Sequence, residues 1–437
     1  MPGISAGDTA WLLVSTAMVM LMTPGLALFY GGMVRKKNVL STFMHSFFAL
    51  GLVSIQWALV GYSLSFGKTH SGFIGGFDFL FLNHVGMEAR GTVPHLLFMA
   101  YQGMFAVITP ALISGAYAER IKFSSYCVFT LLWATLVYDP VAHWVWGDGG
   151  WLAKRGALDY AGGTVVHLTS GISALVVALM MGKRVGAGTV HRPHNLTMTV
   201  IGGGLLWFGW FGFNAGSALA ANGAAALALV NTHLAAAGGA LAWGLIEMSR
   251  IRKATMLGVV SGLVAGLVGI TPAAGFVSPM SAIVIGAMAG LVCYGGVMLK
   301  ARFGYDDALD AFGVHGVGGA FGALATGVFA AKIWGSPSDG VLNQGGSSAL
   351  LAQMEGVAAV AIFSAVVSFA LLKIIDATLG LRVSTDEERE GLDEVLHGES
   401  AYDLGQIGSA TLTSMPSDER EISEHRREVV IGSEQLA

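Results

Sequence analysis

Two histidines stand out by their setting. His167 and His315 each follow an aspartate by eight positions (Asp159 and Asp307) and precede a glycine by four (Gly171 and Gly319), and both fall inside apolar runs. An ionisable side chain in such a run is costly to bury and usually faces a cavity or a partner. Imidazole suits that setting, because its neutral ring donates one hydrogen bond and accepts another, as needed to hand on a small polar molecule or a proton. A structural reading, with each ring satisfied by backbone or a carboxylate, stands beside the functional one, and the match between the two segments favours the functional one. His45, His143 and His233 have no such partner and read as structural. Asp159 could cap a helix start as readily as order a nearby pocket.

A second constellation is aromatic: Tyr101, Phe105, Trp144, Trp146, Trp210 and Phe213, followed by Ser217. Aromatic belts anchor helices at both membrane interfaces, and that alone could account for them. The alternative is a cage of ring faces, which attracts a weakly hydrated cation without offering a carboxylate that would also hold metal ions; Ser217 could accept one hydrogen bond.

The elements that must position these residues are membrane helices. Over 437 residues, 54% are hydrophobic and 12% charged, about half the charge of an ordinary soluble chain, and the 62 glycines suit helices packed by close backbone approach. The net charge of −4 lies in short loops and one tail, so nucleic acid is excluded as a partner. Cys127 and Cys293 lie far apart in apolar runs and imply neither disulfide nor metal knuckle. No HExxH or CxxC motif occurs and no GxSxG lies near the two histidines, so the sequence offers no context for a hydrolase, a metal centre or any cofactor. Met1 to Asp8 lacks the basic region of a secretory signal, so the first span is expected to be retained.

A hydrocarbon core of ~30 Å needs about 20 helical residues. That criterion places spans near 9–32, 40–66, 95–118, 124–146, 162–182, 196–218, 225–247, 256–274, 280–299, 311–331 and 350–378. The expectation is an all-α polytopic membrane protein of eleven transmembrane helices. Lys and Arg concentrate in one set of alternate loops (Arg35, Lys36, Lys37, Arg120, Lys122, Lys183, Arg184, Arg192, Arg250, Arg252, Lys253, Lys300 and Arg302), against Lys68, Arg90, Lys154, Arg155 and Lys332 in the other. The positive-inside rule then puts the N-terminus outside and the C-terminal tail in the cytoplasm. Ile108-Thr109-Pro110-Ala111 in the third span recurs as Ile270-Thr271-Pro272-Ala273 in the eighth, and the His segments of the fifth and tenth spans match likewise. A unit with an odd number of spans inserts upside-down relative to its copy. Spans one to five and six to ten therefore read as a 5+5 inverted repeat plus a final helix, with a substrate path at the interface of the halves.

At this point the sequence resembles a known family. The stretch Asp159 to Arg184 is similar to the signature of the ammonium transporter family (Amt/Mep/Rh), in its bacterial and archaeal Amt form. Further blocks match at PGLALFYGGMVRKKNVL from Pro24, GWFGFNAGSA from Gly209, GLVGITPAAG from Gly266 and FGVHGV from Phe312, covering nearly all of the membrane region. The resemblance implies a homotrimer in the cell inner (plasma) membrane, each subunit conducting ammonia plus a proton through its own pore. It implies a recruitment site for ammonium at Trp146, Phe105 and Ser217, with Tyr101 and Trp210 beside it. It further implies a phenylalanine gate at Phe105 and Phe213, a twin-histidine pore at His167 and His315, and Asp159 as the supporting acid. Tyr101 departs from the Phe common in the family, and Asp139 stands where an apolar residue is expected. Residues 1–378 would form the channel domain and 379–437 a cytoplasmic regulatory tail, disordered beyond about 403, that could meet a PII-type signalling protein. A sensor that reports ammonium through its tail with little flux is the competing reading.

Overall fold

The structure is a computed structural model and describes residues 3–188 and 193–402. The tail expected to be disordered beyond about 403, and Arg192 of the charge count, lie outside the described residues.

Apolar runs of about 20 residues leave the backbone no partner but itself, so they fold as helices. Among the described residues, ten are long and apolar enough to cross a membrane: α1 Ala6–Met33, α2 Lys36–Phe66, α3 His95–Tyr117, α4 Phe123–Lys154, α5 Gly163–Met181, α6 Leu196–Gly216, α7 Gly223–Ile251, α9 Pro279–Phe303, α10 Phe312–Phe329 and α11 Ser348–Thr378. The shorter α8, Met256–Ile270, makes the eleventh helix and continues into turns where a span to 274 was expected. Polar caps set several starts: the side chains of Ser5, Asn195, Asn222, Thr255 and Ser278 each accept from backbone N–H groups in the following turn. α7 and α9 run past the expected ends at 247 and 299 and carry Arg250, Lys300 and Arg302 in their last turns, where cations complement the helix dipole.

The two halves meet helix by helix. α1 packs along α6, its counterpart in the repeat, so closely that a Cβ at Gly202 would lie 2.3 Å from the Phe29 amide nitrogen. α5 crosses α10 at the two histidines, and α11 packs outside them against α4, α5 and α10. Trp133 of α4 donates its indole N–H toward Ser173 of α5 (2.9 Å) and Ser368 of α11 (3.1 Å), which satisfies a fully buried polar atom while tying three helices. Outward faces carry Leu241, Leu245, Ile362 and Val366, as a lipid-facing surface requires.

On the face where α1 begins, called the N-terminal face, two short antiparallel hairpins lie between α2 and α3: β1 Thr69–His70 with β2 Ile74–Gly75, and β3 Ala89–Arg90 with β4 Val93–Pro94. The opposite face is bound by charge. The buried Glu119 accepts from Arg35 (2.9 Å), Asn38 (2.8 Å) and Arg184 (2.9 Å), joining three interhelical connections. The tail helices α12 Thr385–Glu390 and α13 Leu392–His397 dock on this same face. Asp393 accepts from the Ser41 amide (2.8 Å) at the start of α2, and the Leu392 amide donates to Asn38 (2.9 Å).

Asp139, unexpected in an apolar span, lies between α2 and α4. Its carboxylate accepts from the Gln56 amide at 2.8 Å, and Gln56 also donates to Thr135 at 3.1 Å. A buried carboxylate is tolerated where such donors surround it.

Candidate functional site

The helices that carry the histidines do not begin as regular α-helix. Gly162, at φ 114, breaks the backbone, and Gly163–Leu168 then forms a π-helical turn that contains His167. Phe312–Gly316 forms the matching π-turn around His315. Each histidine thus sits in a wide turn at the start of its helix, the first of them behind a broken lead-in. Such turns re-aim a side chain and recur at functional sites.

Each turn is fixed by the aspartate eight residues earlier. Asp159 accepts from the amides of Gly162 (2.8 Å), Gly163 (2.6 Å), Thr164 (2.8 Å) and Val165 (3.1 Å), and from the Thr164 hydroxyl (2.5 Å). Asp307 accepts from Ala311 (3.1 Å) and Phe312 (2.8 Å). Burial, and then the neighbouring Asp310, push the Asp307 carboxyl up to about 6. The glycine four residues beyond each His lets the helices cross. A Cβ at Gly171 would lie 2.0 Å from the Gly316 nitrogen, and one at Gly319 would lie 2.7 Å from the Gly163 carbonyl oxygen.

The crossing brings the two rings together. They stack at 5.3 Å with 21° between planes, and the two Nδ1 atoms are 3.3 Å apart. One ring must donate and the other accept, so the pair holds opposite tautomers. His167 Nε2 is buried without a partner among the described residues. Trp210 stacks on the other side of His167 (5.3 Å, 21°), its indole N–H held by Thr271 at 2.9 Å. The rings border a cavity of about 10 Å³, walled by Leu26, Ile108, Leu112, Leu206, Val264 and Phe213. That is room for about one water-sized molecule.

Phe213 continues the stack toward the N-terminal face, 4.2 Å from Phe105 with 29° between planes. Beyond Phe105 opens a vestibule of about 310 Å³ lined by Phe66, Phe98, Gln102, Trp146, Tyr160 and Ser217. The Trp146 indole donates to the backbone carbonyl of Asp159 (2.9 Å), so Asp159 steadies that ring through its main chain while its carboxylate caps α5. Ser217 donates to the Phe213 carbonyl (2.8 Å), which leaves the lone pairs of its oxygen as acceptors. On the far side, His315 also borders a cavity of about 50 Å³, which shares Met33, Leu257, Leu309 and Asp310 with a vestibule of about 550 Å³ on the opposite face. Separate spaces thus lie in a row between the two faces, smallest at the histidines, with the stacked phenylalanines standing between the first vestibule and the histidine cavity.

Ten residues were singled out from sequence as site candidates, and the structure distributes them unevenly. Phe105, Trp146 and Ser217 line the vestibule together. Tyr101 does not line it. That ring is fully buried behind it, with its hydroxyl 2.9 Å from the Gly212 carbonyl and 3.2 Å from Ser217. Trp210 sits at the level of His167 rather than at the mouth. Trp144 turns away, packing on Trp151 and Phe363. Of the histidines read as structural, His143 bonds to Ser65 (2.9 Å) and Thr69 (2.8 Å), and His233 stacks on Trp207. Sequence reasoning missed Phe66, Phe98, Gln102 and Tyr160. Gln102, a polar residue inside an apolar span, was the available signal.

Eleven helices in two inverted halves, with a narrow row of cavities enclosed in one chain, define a polytopic membrane protein of the channel and transporter class. The Ammonium Transporter Family model matches residues 10–402. An ammonium transporter of Bacillus subtilis is 53% identical over 91% of this chain and 98% of its own. The crystal structure of Saccharomyces cerevisiae Mep2 is similar at a TM-score of 0.85 and 41% identity, over 92% of this chain and 93% of that one. A structure described as a sensor Amt protein is similar at 0.84 and 29% identity, over 90% of this chain and 98% of that one. The chain belongs to the ammonium transporter family.

Proposed function

We propose that this protein is an ammonium transporter that recruits ammonium in the vestibule of the N-terminal face and passes ammonia and a proton to the other side. Family membership across 10–402 supports the substrate. The observation that carries the route is the pair of histidine rings, Nδ1 to Nδ1 at 3.3 Å, beneath stacked phenylalanines.

Ammonium enters as a cation. The ring faces of Trp146 and Phe105 attract it and Ser217 accepts one hydrogen bond, with Tyr101 holding Ser217 and the Phe213 backbone from behind. The stacked Phe105 and Phe213 act as a gate. The space beyond, about 10 Å³, is too small for the ion with its water. Stripping that water from an intact cation costs far more than passing a neutral molecule and relaying the proton. The ion therefore gives up its proton near the phenylalanine gate, the proton follows by a separate route, and ammonia moves along His167 and His315, with Trp210 as a rigid wall beside them. The unpartnered His167 Nε2 is the hydrogen-bonding atom that a passing molecule meets. Asp159 holds Trp146 and the first turn of α5. The protein is a carrier of solute rather than an enzyme.

By the positive-inside rule the vestibule with Trp146 faces outward and the tail lies in the cytoplasm of a cell whose inner (plasma) membrane holds the protein. As in the family it resembles, the working form is a homotrimer, and residues 379–437 are the regulatory segment, with a PII-type signalling protein as its partner. Transport is tested by uptake of labelled methylammonium in a transport-deficient host. Accumulation above background is expected, and none from a properly inserted protein refutes transport. The likeness to a sensor Amt protein favours one other reading, a sensor with little flux. That reading predicts tail-dependent signalling without accumulation.

A further inference from the structure

Two of the rings that wall the vestibule already carry a cation. The Arg90 guanidinium carbon lies 4.4 Å from the centroid of Phe98 and 5.6 Å from that of Phe66, and both rings line the vestibule with Phe105, Trp146 and Ser217. The guanidinium is held there. The β3–β4 hairpin brings Arg90 to the mouth, Nη1 donates to the Tyr62 hydroxyl (3.3 Å) and reaches His95 Nε2 (3.4 Å), and Nη2 lies 3.7 Å from Asp148. Its side chain is 24% exposed, whereas Asp148 is 91% exposed. The arginine charge therefore acts through the vestibule wall, while that of Asp148 is largely screened by solvent. Glu88, the other nearby acid, is engaged with His95 Nδ1 at 2.9 Å.

We infer that Arg90 is a specificity-determining residue of the transport reaction, a fixed positive charge at the mouth that sets the discrimination among cations by their charge. This rests on the transport reading above. With Phe66 and Phe98 engaged by guanidinium, the rings left to an entering cation are those of Phe105, Trp146 and Tyr160, so cation binding is displaced from the end of the vestibule that Arg90 occupies. The fixed charge repels every entering cation in proportion to its own charge. Ammonium meets one unit of repulsion and recovers it in the cage; a divalent ion meets two and has no carboxylate in the vestibule lining to offset them. The cost is a weaker affinity for ammonium than the same cage would show without Arg90.

The test uses the full chain in proteoliposomes, with ammonium-evoked currents measured at low ionic strength and at about 1 M salt, where the screening length is ~3 Å. Arg90→Gln should lower the apparent KM for ammonium about two- to fivefold at low ionic strength, as expected for removing one charge from a mostly aqueous mouth. The difference should vanish at high salt, and magnesium ion should inhibit the variant more than the wild type. Arg90→Lys, which keeps the charge and gives up the planar stack, should follow the wild type. Asp148→Asn, which removes a charge screened by solvent, should move the KM much less than Arg90→Gln, and a shift as large as that of Arg90→Gln also overturns the inference. A KM in Arg90→Gln that is unmoved, or moved equally at both salt concentrations, overturns the inference. So does an Arg90→Lys protein that behaves like Arg90→Gln, because packing rather than charge would then be responsible. Absence of any ammonium current in the wild type overturns the transport reading and this inference with it.

Discussion

Replacing Gly171 by Ala tests the helix crossing on which the histidine pair depends. The added carbon would stand 2.0 Å from the Gly316 nitrogen, 2.2 Å from its Cα and 2.8 Å from the His315 carbonyl carbon, whereas ordinary contact begins at 3.4 Å. All three are backbone atoms, so no side chain can swing aside, and α5 and α10 must part by ~1.4 Å. The Nδ1–Nδ1 distance of 3.3 Å is already long for a hydrogen bond and would be lost at that separation. Overpacking of this kind costs about 1–3 kcal/mol, and contact with rigid backbone places it at the upper end. A displacement of ~1 Å in a chemical site commonly costs a hundredfold, so ammonium current per reconstituted protein should fall tenfold or more. A melting curve in detergent should show a folded but less stable protein. The counterpart, Gly319→Ala, meets the Gly163 oxygen at 2.7 Å, the Leu168 nitrogen at 2.8 Å and the His167 Cβ at 3.1 Å, each a longer approach than at Gly171, and should be the milder of the two. Wild-type current and melting in Gly171→Ala would refute the crossing and the route built on it.

Trp146→Leu removes one face of the cage, worth ~0.5–2 kcal/mol, and should raise the apparent KM for ammonium roughly twofold to thirtyfold in uptake assays, with little change in maximal rate. Burial pushes the Glu119 carboxyl up, but Arg184 and Arg35 outweigh it and hold the group below its ordinary 4.5. A depressed folded value means that this stabilisation is full above pH 4.5 and is lost as pH falls through the lowered value. Wild-type melting temperature should therefore drop in acid, while Glu119→Gln, already less stable at neutral pH, should lack that component. Asp139→Leu deprives the buried Gln56 amide of the nearer of its two acceptors and should cost ~1–3 kcal/mol by thermal melting, whereas Asp139→Asn, which keeps an acceptor, should cost less.

The spans, the inverted repeat and the pairing of His167 with His315 were legible because they rest on features that survive in one dimension: the length of apolar runs, and the shared spacing of Asp, His and Gly. Facing was not legible. A membrane helix is apolar on every side, so no periodicity tells which way Tyr101, Trp144 or Trp210 points. Tyr101 turned out to brace the site from behind, Trp210 to flank His167, and Trp144 to pack outside. The role of Asp159 split in a way no motif reveals, its carboxylate capping α5 and its carbonyl holding Trp146. Asp139 looked anomalous because its partner Gln56 lies on another helix, 83 residues away.

The most direct measurement of the central claim is charge-resolved uptake by the purified protein in liposomes, comparing the wild type with His167→Ala and His315→Ala. Ammonium should evoke a current together with uptake in the wild type, and each substitution should abolish the current or let other monovalent cations carry it. Wild-type currents of unchanged selectivity in both variants would remove the histidines from the conduction path and contradict the account.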